Sequence, residues 1–251
     1  MILSLHGGLG DSACYTGIPE AYFKKFGEKL YIRSYYTEFW ENNPYCILGA
    51  PSEPDEIHKL RFEKHGEEKD WAKYRPQRLF SEMTQSEVEY EEVQPKLYTP
   101  RDTIPRRLVV CDEANWKSRR GYQHLPKLIA NLGEMNWDTF LIRNGGTETD
   151  REVFTSDHTV NFNLKDTINF IATADLYIGY DSGLAHIAAG LGVPYILILG
   201  STPPVVMKHA SCLHAAEVCQ HCFTNECPHQ CLANSDDKNE EIKNIIKERF
   251  D

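Results

Sequence analysis

A glycine-containing segment near the start of the chain places an aspartate beside a predicted ligand site. The segment reads Gly8-Leu9-Gly10-Asp11-Ser12-Ala13 and fits the pattern G-x-G-x-x-G/A. It follows an apolar run at residues 1–5 and leads into a predicted helix at residues 13–26. Glycines let the backbone approach a ligand closely, and a helix N-terminus offers unpaired N–H groups. Asp11 has two candidate roles in this pattern, a general base in the crevice or a helix N-cap.

A second glycine turn with an aspartate lies in the C-terminal half. A predicted strand at residues 176–179 runs into Asp181-Ser182-Gly183, and a predicted helix at residues 183–191 follows. The N–H groups and dipole of such a helix favour a diphosphate at the carboxyl end of the sheet. Asp181 could then accept hydrogen bonds from sugar hydroxyls. His186 on this helix is either an interior histidine or a part of the site.

A cluster of cysteines near the C-terminus has the spacing of a metal site. Four thiols are candidate ligands of a structural zinc or iron ion, with Cys212 as an alternative ligand: Cys219, Cys222, Cys227 and Cys231. Four nearby histidines are candidate substitutes: His209, His214, His221 and His229. Unbound thiols and disulfides remain alternatives. A closed four-cysteine site leaves no open coordination position, so its role would be structural.

Composition restricts the classes of partner. The chain has 251 residues, with 27 basic and 37 acidic side chains and a net charge of −10. An acidic chain lacks the general attraction to phosphate backbones, which argues against nucleic acid as a partner. The apolar run at residues 1–5 is too short for a signal peptide or a membrane span. We therefore expect a cytoplasmic protein with no membrane span, whose eight cysteines are mostly not in disulfides.

The elements that must position these residues alternate between strand and helix. Apolar runs bounded by glycine predict strands and helices in succession on both sides of a proline-rich segment at residues 95–105. They are strands at residues 1–5, 29–35, 108–111, 138–142, 176–179 and 195–199, and helices at residues 13–26, 122–132, 164–172, 183–191 and 237–250. This alternation predicts parallel α/β sheets. We place the domain boundary in the proline-rich segment, giving domains at residues 1–102 and 103–251.

Three segments together resemble glycosyltransferase family 9, the heptosyltransferase-like enzymes. The longest and most specific resembles the family's donor-site signature and reads DLYIGYDSGLAHIAAGLGVPYILILGSTPP. A segment at the N-terminus resembles the family's glycine loop with its aspartate and reads LHGGLGDSACYTGIPEAYFKKF. The third resembles the start of the donor domain and reads VVCDEANWKSRRGYQHLPKLIANL. Together they cover about a third of the chain and occur in the order expected of the family.

The resemblance implies an α/β fold of GT-B type, with two Rossmann-like domains facing across a cleft and a shortened N-terminal, acceptor-side domain. It implies inverting transfer of a sugar, with heptose as one candidate, from a nucleotide-diphosphate donor to an acceptor hydroxyl. Asp11 matches the family's general base. The matching donor-binding positions are Gly8, Gly10, Lys117, Arg119, Arg120, Asp181, Ser182, Gly183, His186 and Thr202. Arginines and a helix N-terminus can stabilise the departing diphosphate, so no cofactor is expected for catalysis.

Two other functions remain open at this point. An NADP-dependent oxidoreductase would use Gly8, Gly10 and Ala13, although the second strand ends in Arg33 and Ser34 without the acid typical of NAD sites. A non-catalytic protein that binds sugar nucleotides would fit the shortened first domain. For a transferase the acceptor also remains open between a saccharide, a protein and DNA, with the net charge arguing against DNA.

Overall fold

The computed structural model describes residues 1–5, 8–49, 57–59, 75–112, 122–142, 159–160, 162–200, 204, 209–218 and 237–251. The strands in these ranges are β1 (Ile2–Leu5), β2 (Leu30–Ser34), β3 (Cys46–Leu48), β4 (Ile57–Lys59), β5 (Arg107–Cys111), β6 (Asp138–Ile142), β7 (Thr159–Val160), β8 (Leu176–Gly179), β9 (Tyr195–Leu199) and β10 (Cys212–Glu217). The α-helices are α1 (Leu9–Cys14), α2 (Ile18–Phe26), α3 (Arg75–Thr84), α4 (Leu125–Glu134), α5 (Leu164–Ala172), α6 (Gly183–Gly190) and α7 (Asn239–Phe250).

The strands form two parallel sheets. The first sheet has the order β3-β2-β1-β4, and the second has the order β10-β9-β8-β5-β6-β7. Every strand pair within the described residues is parallel. In the second sheet the chain runs outward from β5 to β7, returns to β8 beside β5, and then runs outward the other way. Strand order therefore reverses between β5 and β8, and such a switch point is where open α/β sheets bind ligands.

The second sheet is covered on both faces. All five residues of β9 are buried, as expected of a strand between two layers. Alternate residues belong to different hydrophobic clusters, since Leu197 packs with α6 and the first sheet while Ile196 and Ile198 pack with α4 and α7. The cluster containing Leu197 also includes Leu3 and Leu5 of β1. One continuous core thus lies between the two sheets.

The N-terminal helix differs from its prediction. A single helix was expected at residues 13–26, but α1 already begins at Leu9, and a 3₁₀ turn at Tyr15–Gly17 separates it from α2. Gly10 and Asp11 therefore lie in the first helical turn and not in a preceding loop. The interruption has a packing cause, because a Cβ atom on Gly17 would overlap the carbonyl oxygen of Gln94.

The remaining elements agree with their predictions to different degrees. The predicted bounds of β6, α5, β8 and β9 are confirmed, and the other predicted elements differ by a few residues at their ends. Helix α4, for example, begins at Leu125 and continues through Gly133 to Glu134. Strands β3, β4 and β7 were not predicted, because two- and three-residue edge strands carry too little local pattern. The six-residue edge strand β10 and helix α3 were not predicted either. The predicted turn Asn144-Gly145-Gly146 lies outside the described residues.

The proline-rich segment at residues 95–104 has neither helix nor strand and is attached at both ends. The backbone N–H of Leu97 donates to the carbonyl of Gly190 at 2.7 Å, and the Leu97 side chain is buried. The adjacent Tyr98 donates from its hydroxyl to Glu20 of α2 at 2.8 Å. At the other end, the backbone N–H of Ile104 donates to the carbonyl of Thr173 at 2.9 Å. The segment therefore connects α2 to the C-terminal end of α6.

Candidate functional site

The two glycine turns found in the sequence meet in the fold. A Cβ atom on Gly10 would lie 3.3 Å from the Cα atom of Gly183, and one on Gly183 would lie 3.0 Å from the backbone nitrogen of Gly10. Only glycine at both positions lets the first turns of α1 and α6 approach so closely. The structure thus brings Asp11, next to Gly10, into the same region as Asp181, two residues before Gly183.

Both turns remain open to solvent at their ends. Gly8 is exposed, and Asp11, Asp181 and Ser182 are partly exposed, while the helices behind them are buried. Helix α1 follows the carboxyl end of β1, and α6 follows the carboxyl end of β8, next to the switch point of the second sheet. The positive end of the α6 dipole therefore points to a partly open crevice, an arrangement that favours an anionic ligand.

Asp11 makes a capping contact in this structure. It is the third residue of α1, and its Oδ2 accepts a hydrogen bond from the backbone N–H of Gly8 at 3.2 Å. The capping role considered from the sequence is therefore present. The same contact orients the carboxylate at the edge of the crevice, so capping and a catalytic role can coexist.

Ser182 is the N-cap residue of α6. Its backbone is extended, with φ −151° and ψ 165°, and within the described residues its side chain makes no capping hydrogen bond. Its buried hydroxyl makes no hydrogen bond within the described residues, and neither does that of Tyr177, a fully buried tyrosine at the second position of β8 whose pKa burial raises. The first N–H groups of α6 are thus left without a side-chain cap from Ser182.

His186 is an interior histidine, and it belongs to a chain of buried polar groups. Its Nδ1 lies 3.2 Å from the Sγ of Cys14 on α1 and 3.0 Å from the Nε2 of His209. The Nδ1 of His209 lies 2.9 Å from the hydroxyl of Tyr90. We call these four residues, Tyr90, His209, His186 and Cys14, the buried polar chain. They come from four separate segments, and the chain passes directly behind the Gly10–Gly183 contact.

The buried polar chain carries no positive charge at His209. His186 and His209 are 6% and 4% exposed. Burial, together with the neighbouring His186, lowers the pKa of His209 to about 2, so its imidazole is neutral at physiological pH. Burial also raises the pKa of Tyr90, which keeps that hydroxyl protonated. Tyr195 accepts a hydrogen bond from the backbone N–H of His209 at 2.8 Å and fixes its position.

Several predicted site residues lie outside the described residues. These are Lys117, Arg119, Arg120 and Thr202 of the donor site, and the cysteines Cys219, Cys222, Cys227 and Cys231. Their roles stay predictions from the sequence.

The described residues contain no group of three or more side chains suited to a metal ion. The described cysteines, Cys14, Cys46, Cys111 and Cys212, are free thiols, and Cys212 lies at the start of β10. Both ring nitrogens of His209 already contact other side chains, so His209 does not fit the role of a substitute ligand. His214 contacts Glu241 through Nε2 at 2.8 Å.

Sequence reasoning missed two members of the buried polar chain and misplaced a third. Cys14 follows Asp11 by three residues, a spacing that places it on a neighbouring part of the same helix and could have drawn attention to it. His209 was considered only as a metal ligand. Tyr90 lies in a 3₁₀ turn (Tyr90–Val93) within an acidic segment, and no local pattern distinguishes it from a surface residue.

A sequence comparison relates most of the chain to one family. The model of the family described as Glycosyltransferase family 9 (heptosyltransferase) matches residues 75–233. No curated protein sequence matches the chain. The comparisons give no support to an NADP-dependent oxidoreductase or to a non-catalytic binding protein. None of the helices in the described ranges has the length and apolar composition needed to cross a bilayer.

Solved structures with the same fold cover nearly the whole chain. TibC, an iron-containing dodecameric heptosyltransferase from enterotoxigenic E. coli H10407 solved with ADP-D-beta-D-heptose, has a TM-score of 0.74 and 14% identity, and the match covers 98% of this chain and 76% of TibC. A glycosyl transferase of family 9 from Veillonella parvula DSM 2008 has a TM-score of 0.69 and 10% identity over 98% of this chain and 95% of that one. The ADP-heptose lps heptosyltransferase II of E. coli has a TM-score of 0.63 and 12% identity over 98% of both chains. At these identities the likeness shows the fold, which is of GT-B type.

Proposed function

This chain belongs to glycosyltransferase family 9, and from that premise we propose that it transfers a sugar with inversion from a nucleoside-diphosphate donor to an acceptor hydroxyl. The contact between Gly10 and Gly183 carries the proposal. It joins a turn that bears a carboxylate to a helix N-terminus suited to a diphosphate. An inverting transfer needs these two groups on opposite sides of one reacting carbon.

The donor would bind at the N-terminus of α6. The uncapped N–H groups behind Ser182 would hold the diphosphate, and Asp181 would accept hydrogen bonds from hydroxyl groups of the donor. Among the residues outside the described ranges, Lys117, Arg119, Arg120 and Thr202 would supply further phosphate contacts by their match to the family pattern. Fixed N–H dipoles and guanidinium groups stabilise the charge that develops on the leaving diphosphate.

Asp11 would act as the general base. Its carboxylate is partly exposed at the crevice, and the hydrogen bond from the Gly8 N–H fixes one oxygen while the other can face an acceptor hydroxyl. Removal of the hydroxyl proton as the bond to the sugar forms would leave the acceptor oxygen bonded to the anomeric carbon. The diphosphate would depart on the opposite side, toward α6.

The proposal also covers the donor sugar, the acceptor and a structural metal ion. Heptose is the first donor sugar to test, because TibC was solved with ADP-D-beta-D-heptose. The acceptor would be a saccharide or another hydroxyl compound, and the acidic net charge disfavours nucleic acid. The four cysteines at positions 219, 222, 227 and 231 would hold a structural zinc or iron ion, and we propose a cytoplasmic location.

The test compares two aspartates at the same helical position. Asp11 and Asp166 are each the third residue of a helix and each contact the N-cap residue. Asp11→Asn should lower transfer by about 10²–10⁴-fold, because a positioned general base contributes that much. Asp166→Asn should leave transfer within about 3-fold, since it removes only a helix-terminal charge that is worth about 0.5–1 kcal/mol of stability.

The assay measures nucleoside diphosphate released from ADP-heptose and from a panel of other sugar nucleotides. Nucleoside diphosphate should also raise the Tm of both variants, because it binds the folded state at α6. Full activity in Asp11→Asn would restrict Asp11 to capping. A wild-type protein whose Tm responds to no nucleotide would contradict the donor site.

A further inference from the structure

We propose that His209 is a positioning residue that fixes the proton of His186 on Nε2, so that this N–H lies on the ring edge that faces Gly10 at the Gly10–Gly183 contact. The inference rests on the proposed function for its catalytic consequence. Its structural content, the protonation pattern of the buried polar chain, stands on the geometry alone.

The geometry of His186 separates its two ring nitrogens. Nδ1 faces the interior, where it contacts His209 and Cys14. The opposite edge faces the glycine turn, because a Cβ atom on Gly10 would lie 3.5 Å from Cδ2, the ring carbon bonded to Nε2. The proton of His186 can therefore be on Nδ1, which faces the interior, or on Nε2, at the ring edge nearest Gly10. The partner of Nδ1 determines which of the two nitrogens carries it.

His209 sets that choice because it is buried and both of its ring nitrogens are within hydrogen-bonding distance of a partner. A neutral imidazole has one N–H, so it donates through one nitrogen and accepts through the other. Tyr90 is a protonated hydroxyl and can donate to Nδ1 of His209 at 2.9 Å. His209 then donates from Nε2 to Nδ1 of His186 at 3.0 Å.

The contact of Cys14 is compatible with the same direction. Its Sγ lies 3.2 Å from Nδ1 of His186, and a thiol is a weak donor that can point its proton at a lone pair. With lone-pair density on Nδ1, the ring proton of His186 is on Nε2. Hydrogen bonding therefore runs one way, from Tyr90 through His209 to His186, and ends in a donor at the edge nearest Gly10.

An N–H at this edge suits the reaction proposed above. The departing diphosphate gains negative charge as the glycosidic bond breaks, and a neutral fixed donor nearby stabilises that charge without being a cation that must be buried. The role of His209 is indirect, since it acts on His186 and does not itself reach the crevice.

The kinetic consequence is tested by replacing His209 with glutamine or asparagine, whose side-chain amides differ in length. The terminal N–H of glutamine occupies roughly the place of histidine Nε2, whereas asparagine reaches only as far as Nδ1. His209→Gln should keep kcat within about 3-fold, and His209→Asn and His209→Phe should lower kcat by about 10-fold or more with a smaller change in donor KM, because the affected charge develops in the transition state. The control is His124→Gln, which changes a partly exposed histidine that does not belong to the buried polar chain.

The protonation pattern is measured without turnover. In ¹⁵N-histidine-labelled wild-type protein, the ring nitrogen shifts of His186, assigned by their absence in His186→Gln, should show N–H character at Nε2 and lone-pair character at Nδ1. His209→Phe should abolish the preference. A wild-type proton on Nδ1 overturns the proposal, as do equal losses of kcat in folded His209→Gln and His209→Asn.

These readouts separate the two proposals. If the donor assignment is wrong, no sugar nucleotide is turned over by the wild type, yet the ¹⁵N pattern of His186 can still be as expected. If His209 is only structural, the wild type is active and the Gln and Asn variants behave alike.

Discussion

The N-terminal helices are joined to the rest of the molecule at two junctions that differ in charge. At the site junction, Gly10 meets Gly183 and the buried polar chain runs behind them without a charge on His209. At the linker junction, Glu20 of α2 binds Lys96 and Tyr98 of the proline-rich segment, and Leu97 packs on Gly190.

The two junctions differ in charge because one attaches the proline-rich segment and the other positions the groups of the site. The linker junction uses an ionised carboxylate that is 8% exposed and lysine partners that are half-exposed or more, so it attaches a segment without fixing one geometry. The site junction uses neutral groups whose contacts have direction. Neutral directional contacts define positions and proton order, whereas charged contacts near the surface tolerate movement and are screened by water.

The largest effect in this comparison is expected at Gly183, the first residue of α6. Gly183→Ala would place a methyl group 2.9 Å from Leu9 Cδ2 and 3.0 Å from the Gly10 nitrogen. Separation of α1 from α6 by even about 1 Å should lower kcat/KM by about 100-fold. The measurement is sugar-nucleotide turnover at equal amounts of folded protein.

Gly190→Ala is the matched variant at the linker junction. Its methyl group would lie 3.0 Å from Leu97 Cγ, the branch point of a side chain. We expect a lower Tm but turnover within about 3-fold of the wild type. This end of α6 contacts the proline-rich segment and not the reacting groups. Equal loss of activity in both variants would remove the distinction between the junctions.

A smaller effect, on stability alone, is expected at Glu20. Burial by itself would raise the pKa of Glu20, but hydrogen bonds from Lys96, Lys24 and Tyr98 outweigh it and lower the pKa to about 2. Glu20→Gln should reduce the free energy of unfolding at pH 7 by about 2 kcal/mol, because it leaves charged donors without their acceptor. Urea unfolding measures the change.

Lys24→Ala is the control for that measurement. Lys24 contacts Glu20 at 3.0 Å but is 61% exposed, so its loss should cost at most about 0.5 kcal/mol. Turnover per folded molecule should be unchanged in both variants. A stability loss in Lys24→Ala as large as that in Glu20→Gln would mean that the surface pair, and not the linker contact, supports α2.

The last expected difference between the junctions is the pH range in which each of them loses stability. The folded-state pKa of His209 is about 2 against an ordinary 6.5, so below pH 6.5 the unfolded chain binds a proton that the folded chain does not. Stability is therefore lost as pH falls below 6.5, by up to about 1.4 kcal/mol per pH unit from this group. Glu20 contributes the same kind of loss only below its ordinary value of 4.5.

The two variants should separate these windows. His209→Phe should flatten the stability profile between pH 6.5 and 4.5, and Glu20→Gln should flatten it only below pH 4.5, toward its folded value of about 2. Urea unfolding at intervals of about half a pH unit gives both profiles. If His209→Phe follows the wild-type slope above pH 4.5, His209 is not held neutral by burial.

Part of the fold and the site follows from local sequence. Strands β8 and β9 have their predicted bounds because each is a short apolar run closed by glycine or proline. Helix α5 has its predicted bounds because it is a periodic segment that begins after the N-cap residue Asn163. Asp11 and Asp181 are predicted as site residues because an aspartate next to glycines at the start of a helix is a local pattern. The family resemblance in residues 175–204 depends on the same contiguous stretch.

The rest depends on contacts between residues far apart in the chain. Cys14 and His186 are 172 positions apart, and Tyr90 and His209 are 119 positions apart, so no window of sequence contains either pair. The start of α1 at Leu9 and the neutrality of His209 have the same origin. Gly10 can lie inside a helix because Gly183 packs against it, and His209 is neutral because the fold removes it from water. Sequence supplied the chemical groups and their local turns, and burial and close approach decided which groups act together.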